Sequence, residues 1–339
     1  MTTFREKINA ALLAKTECGY VEKIFDRSRR DRIGQASNLF PIVLTSENFH
    51  QYRAETKVTE ALFTCWGFPE RLLYDPDNFP ALRVVLHSGG SVKSFARPLL
   101  ERGIQVMGAR EANALVVAQF CLAQIILSCK GYFRNVRQSS HPETAGQSTA
   151  FIGTGLYGET IALLGMGAVA RKLALLLPQF DLKILAVDPY MTKAEADKLG
   201  VKLVTLEQAF ARAYVVSNHL PDLPQLSGVL NRPLFSSMRR DATFINTGRG
   251  AQVNETDLID VARERPDITS LLDVTTIEPP LPGSPFYQLP NVQMSSHIAG
   301  AMNGDLKRMG DFVVGEFERY VQGQPLRHAD PLHILDRLA

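Results

Sequence analysis

The 339-residue sequence holds 45% hydrophobic and 21% charged side chains and a formal net charge of +2, with no long run of either sign. This length accommodates two domains, each with a core, and the missing basic cluster speaks against nucleic acid or a membrane surface as partner. The four cysteines, Cys18, Cys65, Cys121 and Cys129, form no CxxC pair and no disulfide framework, so no metal is expected and a reduced, cytoplasmic setting is.

The opening "MTTFREKINAALLAKTECGY" is charged and has no apolar core of the kind a secretory leader needs. No apolar run reaches the ~18 residues of a membrane span. Strands are predicted over 20–25 ("YVEKIF"), 61–66 ("ALFTCW") and 82–88 ("LRVVLHS"), and a helix over 91–103, ending at Gly103. Between the last two, "HSGGSV" reads either as an ordinary turn or as a small anion nest of exposed N–H groups. A long helix is predicted over 113–134, and its apolar residues lie nearly all round, so it should be buried. Residues 135–153 are rich in Ser, Thr, Pro and Gly and read as a linker or surface loop. Five buried strands follow at 160–165, 183–188, 213–218, 242–247 and 268–273, with helical segments between them. Such alternation builds a doubly wound parallel sheet, whose ligand sits at the carboxyl ends of the strands.

The first chemical constellation is "TIALLGMGAVARKLALLLPQFDLKILAVDPY". A strand runs into Gly165-Met166-Gly167-Ala168-Val169-Ala170, a helix follows, and a second strand ends in Asp188, 21 residues beyond Gly167. Gly165 permits the tight turn, Gly167 lets backbone approach a pyrophosphate, and Ala170 allows close helix–strand packing. The helix start offers N–H groups and the positive dipole end to phosphate. Asp188 stands where an acid binds the adenosine ribose hydroxyls and repels a 2′-phosphate, so NAD is expected over NADP.

The second constellation lies at later strand ends. Arg249 follows "FINTG" and is flanked by Gly248 and Gly250, which are expected to let the chain turn. Asp273 ends "SLLD", Glu278 follows five residues on, and His297 sits in "MSSHIAG". A carboxylate beside a histidine raises the imidazole pKa and orients the ring, which suits general acid/base work. An arginine fork can hold a carboxylate and polarise a carbonyl. Singly, His297 reads equally as a satisfied core histidine, Glu278 as a solvated acid and Arg249 as a surface cation. Their gathering at one sheet edge with a dinucleotide loop favours chemistry.

These motifs resemble the D-isomer-specific 2-hydroxyacid dehydrogenases. "ANALVVAQFCLA", "LLGMGAVARKLA", "FINTGRGAQVNETDL" and "LLDVTTIEPPLPGSPFYQLPNVQMSSHIAG" carry the resemblance, which covers roughly residues 80–322 and weakens toward the N-terminus. It implies an α/β chain of two doubly wound parallel-sheet domains with a cleft between them. A flavodoxin-like substrate domain would span 1–125 and be completed by about 322–339, and a Rossmann NAD-binding domain would span 126–321. Arg249 would bind the substrate carboxylate and carbonyl, Glu278 would support the histidine, and His297 would exchange the proton. Gly165, Gly167, Ala168, Val169, Asp188, Asn113, Thr247, Arg249, Asp273, His297 and Gly300 would line the cofactor, with Gly89 and Gly90 on the substrate carboxylate. A small 2-keto or D-2-hydroxy acid is the implied substrate and a homodimer the implied assembly.

Two residues depart from the family pattern. Gln119 replaces the usual glutamate of the long helix, and Thr275 replaces the usual aromatic after Asp-Val, which should alter the pocket. Two other functions fit the same residues. An NAD(H)-sensing corepressor-like protein keeps the Arg/Glu/His set, but this chain has no basic arm or disordered tail of that kind. A formate-specific enzyme pairs its histidine with glutamine, and Glu278 argues against it.

Overall fold

The computed structural model describes residues 7–17, 19–140, 142–143 and 153–337. The chain divides into two compact units, Met1–Asn113 with Ala301–Leu338, and Ala114–Gly300.

The first unit is built on β1 (Asn9–Leu13), β2 (Asn38–Leu39), β3 (Ala61–Thr64), β4 (Val84–His87) and β5 (Gln105–Gly108), all parallel, in the order β2-β1-β3-β4-β5. That is the flavodoxin-like order. β3 and β4 are buried along their whole length, as expected of a parallel sheet covered on both faces. The segment 20–25 is a helix, Gly19–Ile24, and not a strand: Val21, Ile24 and Phe25 are buried at the i, i+3, i+4 spacing of a helix face. The predicted helix over 91–103 is shorter, Ala96–Glu101.

The C-terminal helix Asp305–Val321 returns to this unit, so the chain re-enters at Ala301 and not near 322. Its apolar face, with Met309, Val313 and Phe317, is buried, and Phe317 meets Phe63 edge-on at 4.9 Å. Arg29 fixes the helix from the other side, donating to the Lys307 carbonyl at 3.1 Å and to Asp311 at 2.7 Å. The other chain crossing lies at Asn113, not at 125, inside the helix Arg110–Cys129. This helix is long and apolar enough by length and composition to cross a membrane, and half of it is buried in the protein. The expectation that no apolar stretch reaches that length overlooked it, because Gln119 and Gln124 interrupt the run. The helix stops at Cys129, and a second one, Tyr132–Ser139, begins after Gly131 at φ 69°. The predicted loop thus starts as helix, while residues 141 and 144–152 of it lie outside the described residues.

The second unit contains β6 (Thr160–Leu164), β7 (Lys183–Val187), β8 (Val201–Leu203), β9 (Val215–Asn218), β10 (Thr243–Asn246), β11 (Thr269–Leu272) and β12 (Val292–Met294). All pair in parallel, in the order β12-β11-β10-β9-β6-β7-β8. The five predicted strands are present; β8 and β12 are additional, each three residues long. The winding reverses between β6 and β9, so the crevice at their carboxyl ends is where a ligand of this fold belongs.

One histidine in each unit ties stability to pH. Burial holds His87 down to about 3 and His219 down to about 4. Both lie below the ~6.5 of an unfolded histidine, so the unfolded chain takes up two protons that the native chain refuses. Stability is therefore complete above pH ~6.5 and is lost as pH falls, by about 4 kcal/mol for the pair at pH 5. Urea unfolding between pH 7 and 5 should show this slope, about halved in His87→Phe.

Candidate active site

Because every strand of the second unit is parallel, the residues that follow β6, β9, β10, β11 and β12 lie along one sheet edge. At the end of β6, Gly165 adopts φ 81°, and a Cβ there would stand 2.8 Å from the His219 carbonyl oxygen. Only glycine fits a left-handed turn with backbone that close. Gly167 caps the helix Ala168–Leu176 without a side chain, leaving the N–H groups of Ala168 and Val169 uncapped. A Cβ on Gly167 would meet nothing within 4 Å. The glycine thus serves open space in front of a helix start, which is the arrangement a pyrophosphate requires. Asp188 follows β7 and accepts from the Met166 and Tyr190 N–H groups, both at 2.8 Å. The carboxylate holds the glycine loop itself, and its remaining lone pairs are what it has for ribose hydroxyls.

This contrast predicts opposite outcomes for two alanines. Gly167→Ala should leave thermal stability within ~0.5 kcal/mol and weaken NADH binding. Gly250→Ala would place a methyl 2.0 Å from the Thr275 carbonyl carbon, and should cost about 2–4 kcal/mol. Calorimetry with an NADH titration of both variants checks this pair.

At the end of β10, Gly248 and Gly250 do not adopt positive φ, so they are not there to turn the chain. They permit close approach: Gly248 packs on the amides of Gln252 and Asn218, and Gly250 on the backbone of Thr275 and Thr276. Three buried amides hold the turn between them. Asn218 donates to Asn246 Oδ1 (2.9 Å) and Gln252 Oε1 (2.6 Å). Asn246 accepts from the Gly248 N–H and donates to the Arg249 carbonyl, and Gln252 accepts from the Arg249 N–H. The backbone of Arg249 is therefore fixed without help from its side chain. The guanidinium donates from Nη1 to the Gly248 carbonyl at 2.9 Å, and its Nε stands 3.9 Å from Asp222. No acceptor for Nη2 appears among the described residues, so part of the fork is available to a ligand. Thr247, next to it, is partly exposed, with its hydroxyl 3.3 Å from the Cys121 thiol.

Asp273, just past β11, is 3% exposed and organises the loop after β12. Its carboxylate accepts from the Ser295 hydroxyl at 2.6 Å and from the Ile298 and Ala299 N–H groups at 2.9 Å. Its carbonyl accepts from the His297 N–H at 3.0 Å. These four bonds impose φ 57° on His297, a conformation a non-glycine residue holds only when its surroundings demand it. The His297 Nδ1 then faces Glu278 Oε2 at 2.7 Å, both side chains remaining partly exposed. Nδ1 is committed to the carboxylate and Nε2 is left for a ligand. Thr275 is buried and donates to the Ile277 carbonyl, so it braces the loop that carries Glu278. Gly300 lies three residues after His297 and ends this unit.

Gly89, Gly90 and Asn113 belong to the first unit. Asn113 accepts from the Ala301 N–H at 2.8 Å, and its Nδ2 lies 3.1 Å from where a Cβ on Gly90 would stand. Sequence reasoning passed over Asn218, His219, Asn246 and Gln252. The segment "SNHLPDLP" directly after a buried strand was the available signal, since polar residues and prolines at that point mark a loop on the ligand edge.

Residues 123–299 match the family described as D-isomer specific 2-hydroxyacid dehydrogenase, NAD binding domain. The D-3-phosphoglycerate dehydrogenase of Archaeoglobus fulgidus is 27% identical over 231 residues, 68% of this chain and 43% of that protein. The chain spans about half the length of the curated relatives it matches. In fold, it is similar to Rhodotorula graminis D-mandelate dehydrogenase (TM-score 0.77, 19% identity, 96% of this chain and 97% of that one). It is equally similar to a phosphoglycerate oxidoreductase from Rhizobium etli (TM-score 0.77, 22% identity, 96% and 98% covered).

Proposed function

Because the chain belongs to the D-isomer-specific 2-hydroxyacid dehydrogenase family, we propose that it interconverts a 2-keto acid and a D-2-hydroxy acid with NAD(H). Residues 123–299 are the family's NAD-binding domain, and the glycine turn with its uncapped helix start fits the dinucleotide. The observation that carries the reading is the His297–Glu278 pair, 2.7 Å apart on the same sheet edge as that helix start. The nicotinamide cofactor supplies or accepts the hydride. His297 Nε2 gives its proton to the keto oxygen in reduction and takes it back in oxidation. Glu278 orients the ring through Nδ1 and stabilises the imidazolium while it carries two protons. Arg249 presents the free part of its fork to the carboxylate and carbonyl of the substrate, and its charge polarises the C=O bond. Asp273 acts through the loop it holds and not by touching the substrate. In the first unit, the N–H groups of Gly89 and Gly90 would supply donors for a carboxylate, as the resemblance implies. The resemblance also supports a homodimer.

The test is NADH oxidation across a panel of 2-keto acids, from glyoxylate and pyruvate to bulkier side chains, with NADPH as control. Turnover of at least one acid with NADH preferred is the expected result. NADH binding without turnover of any member would replace this reading with an NAD(H)-sensing role.

A further inference from the structure

The amino edge of the second unit's sheet, opposite the edge that carries Arg249 and His297, holds a pocket of about 190 Å³ that opens to solvent. Thr243 begins β10 and Thr269 begins β11, so both stand at this end of the parallel strands. The helix Tyr132–Ser139 starts at the same place, with Gly131, Phe133 and Arg134 in the pocket wall. All of these residues belong to the second unit.

Thr243 and Thr269 are direct partners across β10 and β11, so their side chains stand side by side on one face of the sheet. They are 3% and 4% exposed. Their N–H groups donate to the Tyr214 and Ala242 carbonyls at 2.8 and 3.0 Å, but neither hydroxyl has a partner among the described residues. The hydroxyls are not sealed in, and the little surface these residues keep opens on the pocket. Beside them, Gly131 caps the helix at φ 69° without a side chain. The N–H groups of Tyr132 and Phe133 have no acceptor among the described residues, which leaves the positive end of the helix uncapped.

The charges around the pocket are uneven. Its one carboxylate, Asp241, contacts Arg134 and also has Arg240 at 3.9 Å. Arg137 donates to the Pro290 and Pro266 carbonyls and so brings no counter-ion with it. Burial holds the Arg134 and Arg137 guanidiniums below the usual arginine range, and a neighbouring arginine adds to this in each case. Positive charge, unused hydroxyls and an uncapped helix start therefore meet in one place.

We propose that this pocket binds a phosphate-sized oxyanion, which accepts from the Thr243 and Thr269 hydroxyls and from the N–H groups at the helix start while facing the Arg134 guanidinium. Each hydroxyl can turn its proton to the anion, and two neighbouring strands set them at a spacing that one ion can span. Asp241, already shared by two guanidiniums, opposes the anion less than a free carboxylate would. The site stands apart from the dehydrogenase reading, because its residues lie at the other end of the strands.

The test is a calorimetric titration of the full chain with inorganic phosphate in saturating NADH, which fills the other uncapped helix start, at Ala168. Saturable binding of one phosphate per chain is expected. Thr243→Val combined with Thr269→Val keeps the shape of both side chains and removes both hydroxyls. It should weaken phosphate by at least about tenfold, the effect of losing hydrogen bonds to a charged group. Thr243→Ser with Thr269→Ser keeps the hydroxyls and should retain the affinity, and NADH binding should change in neither variant. Should the double valine variant fold poorly, each single valine against its serine makes the same comparison. Glycerol phosphate binding as tightly as phosphate would trace the anion to a phosphorylated metabolite, and weaker binding to the free ion. No saturable binding, full affinity in the valine variants, or loss of phosphate in Arg249→Ala at the opposite edge would each overturn the assignment.

Discussion

Replacing His297 by alanine is expected to lower kcat by about a thousandfold on the best keto acid, within the range that general acid/base groups contribute. The side chain is half exposed and has one protein partner, Glu278, so folding stability should change by less than ~0.5 kcal/mol. NADH affinity, read by fluorescence, should be largely kept, because the helix start at Gly167 is untouched. Glu278→Gln should fall short of the alanine effect, since an amide can still receive the Nδ1 proton but cannot stabilise the imidazolium. Near-normal turnover in His297→Ala would remove the residue from the chemistry altogether.

Arg249→Ala is expected to reduce kcat/KM by about a thousandfold, the worth of two charge-assisted hydrogen bonds at ~2 kcal/mol each. Arg249→Lys keeps the charge and loses the fork, so it should recover only a fraction of this. The turn should survive both changes, because Asn246 and Gln252 hold the main chain of residue 249 and not its guanidinium. Added guanidine should restore part of the alanine variant's rate. An unchanged kcat/KM for keto acids in Arg249→Ala would show that the fork does not touch the substrate.

The second unit was readable because its strands are central and buried on both faces, so they appear as unbroken apolar runs. β8 and β12 escaped notice because three residues at a sheet edge carry too little pattern. In the first unit β1 was not predicted: its Ala and Leu residues favour helix by propensity, and it is the pairing with β2 and β3 that makes it a strand. "YVEKIF" was misread because a single helical turn and a short strand share the same apolar content.

The candidate site divides along a similar line. Sequence determined which groups stand at the ligand edge: the glycine loop, Arg249, Asp273, Glu278 and His297 each follow a buried run, and parallel strands bring such ends together. What each group bonds to was decided only in three dimensions. Asp273 organises the histidine loop, Asp188 braces the glycine turn, and Gly248 and Gly250 serve close packing instead of a positive φ. His87 lay inside a predicted strand, and only the fold placed its Nε2 against Gly89. A motif records spacing along one chain. Hydrogen bonds and close contacts join residues from different strands, and no local pattern contains them.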